Sequence, residues 1–233
     1  MTIAGILFDK DGTLLDFNAT WVPIYRAAAH IVAKGDGQLA GELLHLGGQN
    51  DRLGTVAAGS LLAVGGTDEI AALWAGHYPG HGFADLAATL DEVFQNEGKR
   101  SAAAVPGLRQ TLIALKARGL VLGVATSDSA AGARATLQPF DVLDQFDFVA
   151  GYDSGFGGKP DPGMVLAFCA AAGLAPGQVM VVGDNSHDLE MGRRAGAGLC
   201  VGVLTGTSAR QDLDALADHV ISSIADVIGL LYR

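Results

Sequence analysis

The chain has 233 residues, enough to bury a full core with room for one large domain and a smaller insert. Its 15 Lys+Arg against 25 Asp+Glu give a formal net charge of −10 with no basic run, which argues against nucleic acid or an anionic membrane surface as the main partner. No apolar stretch reaches spanning length without interruption, the N-terminus lacks a basic region, and Asp9 cuts the first apolar run short, so neither a transmembrane helix nor a signal peptide is expected and the chain reads as cytoplasmic.

The first element sets the pattern. Ile3 to Phe8 is an apolar run of strand length that ends abruptly in Asp9-Lys10-Asp11-Gly12-Thr13. A strand buried on both faces of a parallel sheet reads as continuously apolar, and its C-terminal end is where open α/β sheets bind ligands. Asp-x-Asp-Gly also opens calcium loops. Such a loop counted from Asp9 needs an oxygen ligand at its fifth place and Glu at its twelfth, and these hold Thr13 and Thr20.

From about Thr20 to Lys34 the spacing predicts an amphipathic helix with Trp21, Ile24, Tyr25, Ala28 and Ile31 on one side, capped by Asn18 or Thr20 and ended by Gly35-Asp36-Gly37. Further helical patches follow at 39–46, 51–63, 68–76 and 83–97, separated by breaks such as Gly65-Gly66 and Gly80-His81-Gly82. No strand is expected between Asp16 and Lys99, so this stretch reads as an inserted helical subdomain. Asn18-Ala19-Thr20 fits the glycosylation pattern, by chance in a chain without a secretory signal.

After Val105-Pro106-Gly107, helices and strands alternate. A helix with Leu108, Leu112 and Leu115 on one face, Lys116 and Arg118 in its last turn and Gly119 ending it, leads to a buried strand, Leu120–Ala125, ending at Thr126-Ser127-Asp128. A helix to Leu137 and a short strand near Phe146–Ala150 come next. A glycine-rich loop then reaches Lys159, with Asp161 and Pro162 opening another helix. A strand at Val179–Val182 ends in Gly183-Asp184, followed by Asp188, a helix, a strand at Leu199–Val203 and a helix–strand–helix tail. Cys169 and Cys200 lie far apart without ligands at metal spacing and read as small core residues. Strands alternating with helices of crossover length predict an α/β fold with a doubly wound parallel sheet. The expected division is a core of 1–16 with 100–233 and an inserted all-helical cap of 17–99.

Asp9 with Asp11, Thr126 with Ser127, Lys159, and Asp184 with Asp188 all fall at, or one loop beyond, strand C-termini. Those ends share one edge of a parallel sheet, so residues far apart in sequence converge there. Taken singly, a helix cap, a surface lysine and loop acids would explain them; together they make chemical sense. The carboxylates describe an oxygen-ligand site suited to Mg²⁺, and the hydroxyl and lysine suit a phosphoryl group. Metal and lysine form a local positive well in an acidic chain. One aspartate can attack phosphorus while the other handles protons.

Asp9-Lys10-Asp11-Gly12-Thr13, Thr126, Lys159, and Gly183-Asp184 with Asp188 resemble the four motifs of the haloacid dehalogenase superfamily. The resemblance covers essentially the whole chain. It implies a Rossmann-like core with a C1-type cap, and within the superfamily it is strongest to the phosphoglycolate phosphatase-like branch. The resemblance implies that Asp9 is the nucleophile that becomes a phosphoaspartate, and that Asp11 first protonates the leaving oxygen and then activates water. Asp9, Asp184 and the backbone carbonyl of Asp11 would hold Mg²⁺, with Asp188 behind them. Thr126 and Ser127 would bind the phosphoryl oxygens, and Lys159 would neutralise charge there. Lys10 is often apolar in the family. Strand alternation directs it away from Asp9 and Asp11, so it is expected to be peripheral. His187 reads as a solvated loop residue. The glycine-rich loop before Lys159 is not a P-loop, because Asp153 and Pro160 occupy required places.

The expected function is a Mg²⁺-dependent phosphatase of a small phosphomonoester, 2-phosphoglycolate or a similar phosphorylated metabolite, with no nucleic-acid or membrane partner. The alternatives are a phosphomutase of the β-phosphoglucomutase type on the same scaffold, and a non-catalytic binding module. Dehalogenase and phosphonate hydrolase chemistry are disfavoured by Asp11. Cap candidates for substrate contact are Arg52 above all, for the guanidinium fork it offers an anion, then Trp21, Tyr25, His45, Gln49 and Asn50, with Lys99 and Arg100 near the hinge. The sequence specifies no oligomeric state.

Overall fold

The computed structural model describes residues 2–77 and 82–231. Strand β1 (Gly5–Phe8) is buried along its whole length, as a central strand covered on both faces must be. Beyond Phe8 the chain turns tightly. The Lys10 carbonyl accepts from the N–H groups of Thr13, Leu14 and Leu15, and Gly12 takes φ +87°, a left-handed conformation that costs glycine nothing.

The chain then leaves the sheet. Helix α1 (Phe17–Val32) is capped by Asp16, whose carboxylate accepts from Ala19 N–H at 2.9 Å, and not by Asn18 or Thr20. Those two side chains serve tertiary ties instead: Asn18 accepts from Val56 N–H and Thr20 from Ala103 N–H. Trp21, Ile24, Tyr25 and Ala28 are buried as expected, whereas Ile31 is 50% exposed. After α2 (Gly37–Gly47), the stretch 51–63 departs from the helical expectation. In its place, an antiparallel pair of two-residue strands, β2 (Gln49–Asn50) and β3 (Thr55–Val56), spans its first part, and one helical turn, α3 (Leu61–Val64), overlaps its end. Turn chemistry overrides helical spacing here. The Asn50 side chain accepts from Leu53 N–H, and Gly54 sits at φ +65°.

Helices α4 (Thr67–His77) and α5 (Phe83–Ser101) complete the insert; the break at Gly80-His81-Gly82 falls partly outside the described residues. The insert has its own apolar cluster, with Ile24, Leu43, Ile70, Trp74 and Leu90 fully or almost fully buried, separate from the clusters on the two faces of the main sheet.

The remaining chain alternates α6 (Leu108–Lys116), β4 (Val121–Ala125), α7 (Ala130–Leu137), β5 (Phe148–Ala150), α8 (Gly163–Ala172), β6 (Val179–Gly183), α9 (Ser186–Ala195), β7 (Leu199–Val203), α10 (Arg210–Leu213), β8 (His219–Ile221) and α11 (Val227–Leu230). Asp161 makes no capping bond to α8, which starts directly after Pro162. The six long-sheet strands are parallel in the order β5-β4-β1-β6-β7-β8. The chain builds outward from β1 first on one side and then on the other, so the topological switch lies at β1. Phe8 stands opposite both Val124 and Val182, which brings the residues that follow these three strands to one place. Cys169 and Cys200 are free and buried. No helix among the described residues is long and apolar enough to cross a membrane.

Candidate active site

Five of the expected residues meet at the C-terminal edge of β1, β4 and β6. Asp9 follows β1, its N–H still bonded to the Val182 carbonyl at 2.8 Å. Lys159, on the loop before α8, has a side chain only 2% exposed and donates both to Asp9 Oδ1 and to Asp188 Oδ1, the latter at 2.6 Å. Asp188 stands at the third position of α9, where its Oδ2 accepts from Asn185 N–H while Asn185 caps the same turn. Asp184 follows β6, with Oδ2 accepting from Thr207 N–H at 3.2 Å. Glycine is required around it: a Cβ on Gly12 would sit 2.6 Å from the Asp184 carboxylate. Thr126 follows β4, is buried, and accepts from Asp128 N–H at 3.1 Å. Asp9, Asp11, Thr126, Ser127 and Lys159 all line one pocket beneath the helical insert.

The site fits a divalent cation. One oxygen from each of Asp9, Asp184 and Asp188 lies within 4.8 Å of the others. Asp9 Oδ2 and Asp184 Oδ1 are buried without a hydrogen-bond partner. Buried carboxylate oxygens without donors are what an oxygen-ligated cation would satisfy. Both oxygens of Asp188 are already engaged, by Lys159 and by Asn185 N–H, which suits a place behind the ligands.

Electrostatics carry the same signature. Burial, reinforced by the charges of Asp188 and Asp11, pushes the Asp9 carboxyl up to about 7, although Lys159 pulls it down. Burial, then Asp9 and Asp188, holds Asp184 well above the ordinary carboxylate range. Lys159 responds oppositely: burial lowers it, but Asp188 and Asp9 more than offset that and its ammonium is stabilised. Strongly perturbed, mutually dependent groups in a cleft mark a functional site.

Lys10 corrects the sequence expectation. It is fully buried and faces the site, with Nζ 2.8 Å from Asp11 Oδ2, 3.0 Å from Asp128 Oδ2, 3.3 Å from Thr136 Oγ1 and 5.3 Å from the centre of the Trp21 ring. Alternation fails here because the chain stops being a strand at Phe8 and turns. Asp128 is the partner that sequence reasoning missed. Its place two residues after Thr126, at the start of a helix, is the signal that was available.

On the cap side, Trp21 and Tyr25 line the pocket together with Phe17, Leu62, Val64, Ile70 and Phe94. The wall residues Leu62 and Val64 precede the Gly65-Gly66 break, which the sequence marked only as an interruption. The other cap candidates are not among the residues lining the pocket. Arg52 is exposed in the turn between β2 and β3, and His45, Asn50, Lys99 and Arg100 are exposed as well. Gln49 is buried but spends its amide on Asp51 Oδ1 at 2.6 Å. His187 is half-buried and lines the pocket.

A "Probable phosphatase IndB" of Dickeya dadantii is 35% identical over 125 residues, 53% of this chain and 54% of the relative. The phosphoglycolate phosphatase of Escherichia coli K12 is 32% identical over 127 residues, 54% of this chain and 50% of its own length. The match thus spans about half the length of these curated relatives. The crystal structure of a predicted phosphoglycolate phosphatase from Haemophilus somnus superposes with a TM-score of 0.75 at 21% identity, covering 99% of this chain and 98% of that one, which shows a shared fold. The family model for haloacid dehalogenase-like hydrolases matches residues 3–196, and the chain belongs to that family.

Proposed function

We propose that the protein is a Mg²⁺-dependent phosphatase of small phosphomonoesters that works through a phosphoaspartate on Asp9. The observation that carries this reading is the buried Lys159 bridging Asp9 and Asp188 beside the open oxygens of Asp9 and Asp184. Asp9 Oδ2, Asp184 Oδ1 and the Asp11 main-chain carbonyl would hold Mg²⁺, which when bound would offset charge on the phosphoryl oxygens.

The protein's own groups then divide the work. A carboxylate oxygen of Asp9 attacks phosphorus as the bond to the alcohol oxygen breaks, and the Asp11 carboxyl gives that oxygen its proton. Asp11, now a carboxylate, takes a proton from a water whose oxygen attacks the same phosphorus. The bond to Asp9 breaks and inorganic phosphate leaves. Thr126, Ser127 and Lys159 hold the transferring group throughout, so positioning and fixed charge supply most of the acceleration.

A phosphomutase on this scaffold must also hold a second phosphoryl group. Among the described residues lining the pocket, Lys159 is the only lysine or arginine, which supports hydrolysis over isomerisation. The names of the relatives place 2-phosphoglycolate in the panel to be assayed. Phosphate release from small phosphomonoesters should need Mg²⁺ and cease with EDTA. Asp9→Asn should remain folded yet inactive, and turnover retained in that variant would refute the nucleophile assignment.

A further inference from the structure

The pocket is acidic below and apolar above. Asp9, Asp11 and Asp128 line it, and Asp184 and Asp188 stand within a few residues of the same floor. Against these five carboxyl groups are two lysines, each already shared: Lys159 lies between Asp9 and Asp188, and Lys10 between Asp11 and Asp128. A divalent cation would balance the dianionic phosphoryl group and leave nothing over for a second anion.

Among the described residues, the cap side of the pocket supplies no lysine or arginine either. Its wall is Trp21 stacked on Tyr25 with ring centres 5.1 Å apart, Phe94 edge-on to Trp21 at 5.2 Å, and the aliphatic side chains of Leu62, Val64 and Ile70. The Tyr25 hydroxyl is committed to the Leu62 carbonyl at 2.8 Å. The pocket, phosphoryl site included, is small, about 50 Å³, room for only a few water-sized groups. An adjoining cleft of about 340 Å³ past Gly65-Gly66 adds Glu69 and Tyr152, and its described lining contains no lysine or arginine besides Lys159.

Resting on the phosphatase reading above, we infer that the alcohol portion of the substrate is small and uncharged, so that carboxylate-bearing phosphomonoesters, 2-phosphoglycolate included, are poor substrates. A carboxylate carried into this pocket loses its water and meets aromatic carbon on one side and, on the other, carboxyl groups that outnumber the lysines they share. An uncharged alcohol loses little and gains apolar contact. Trp21 Nε1–H, buried without a partner, adds an unfilled donor to the same wall.

Two matched pairs isolate the charge. Glycerol 3-phosphate differs from 3-phosphoglycerate, and ethyl phosphate from 2-phosphoglycolate, by a neutral group in place of a carboxylate. kcat/KM is measured for all four with Mg²⁺ at pH 8. The neutral member of each pair should be preferred at least tenfold. A carboxylate that matches or beats its neutral partner in either pair overturns the inference while leaving the phosphatase intact. No phosphate release from any of the four, nor from p-nitrophenyl phosphate, overturns the phosphatase reading and the inference with it.

Discussion

Lys10 shows how much a single buried charge can carry. Burial pulls an ammonium toward its neutral form, but Asp11 and Asp128 more than offset this, and the group is held in its charged state. Thr136 is a third acceptor and the Trp21 ring lies over the same charge. Lys10 also fixes the carboxyl that the proposed reaction uses twice. Lys10→Met should therefore cost about 3–5 kcal/mol, because it strands the buried Asp128 carboxylate and the partly buried Asp11. Adding Asp128→Asn should return part of that loss by removing one of the stranded charges. Urea unfolding of the two single variants and the double variant checks this, and strictly additive losses would show that the residues do not act as a pair. The sequence revealed Asp9, Thr126, Lys159 and Asp184 because a parallel sheet gathers its strand ends by rule. It did not reveal Lys10 and Asp128. Their meeting depends on the turn that follows Phe8 and on where α7 packs, and neither is a local property.

Among the elements, the core strands were legible to within a residue or two, because continuous apolar runs ended by polar loops mark buried parallel strands. The insert was legible as helical but not in detail. Between Gly48 and Ser60 the polar and glycine-rich chain follows turn chemistry, giving a hairpin where spacing alone suggested a helix. Insert and core are joined by contacts far apart in sequence. Gly98 of α5 packs against Thr136 of α7, where a Cβ would come 2.5 Å from the threonine methyl. The Tyr152 hydroxyl, on the loop after β5, donates to Asp91 Oδ2 of α5 at 3.0 Å, and Asp91 Oδ1 is buried without a partner. This bond helps hold the insert over the pocket. Tyr152→Phe should raise KM several-fold and change kcat less, because a looser cover weakens substrate capture while the groups on the sheet edge stay in place. Its cost in stability should stay near 1 kcal/mol. Steady-state kinetics beside a melting curve test this. An unchanged KM would mean that the cover closes without this bond.

At the scale of the whole molecule, a chain of net charge −10 concentrates several buried carboxyl groups at the one place where the proposed reaction needs a dianion. That concentration should be visible as a dependence of stability on pH. Asp9 is raised on folding from an ordinary value of 3.8 to about 7, mainly by burial, and Asp184 is raised as well. A group that binds its proton more tightly when folded contributes stability that is fully present below its unfolded value and is lost as pH rises through its folded one. Without metal, the protein should therefore melt at progressively lower temperature between about pH 4 and pH 7. Asp147 and Asp218 act in the opposite sense. Burial would raise both, but Lys116 and the Leu122 N–H lower Asp147, and Arg193 and the Cys200 N–H lower Asp218. Their contribution is lost only below about pH 4, outside this window. Mg²⁺ should reverse the trend, since it binds the ionised site and not the protonated one. At pH 8, a hundredfold excess over Kd is worth about 2.7 kcal/mol, or roughly 5–10 °C for a chain of this size. At pH 5 the gain should shrink, because the cation must first displace protons. Melting curves at the two pH values, with and without Mg²⁺, decide the matter without any substrate. A gain that is equal at both would place the cation somewhere other than Asp9 and Asp184, and no gain at either would show that the site does not hold Mg²⁺.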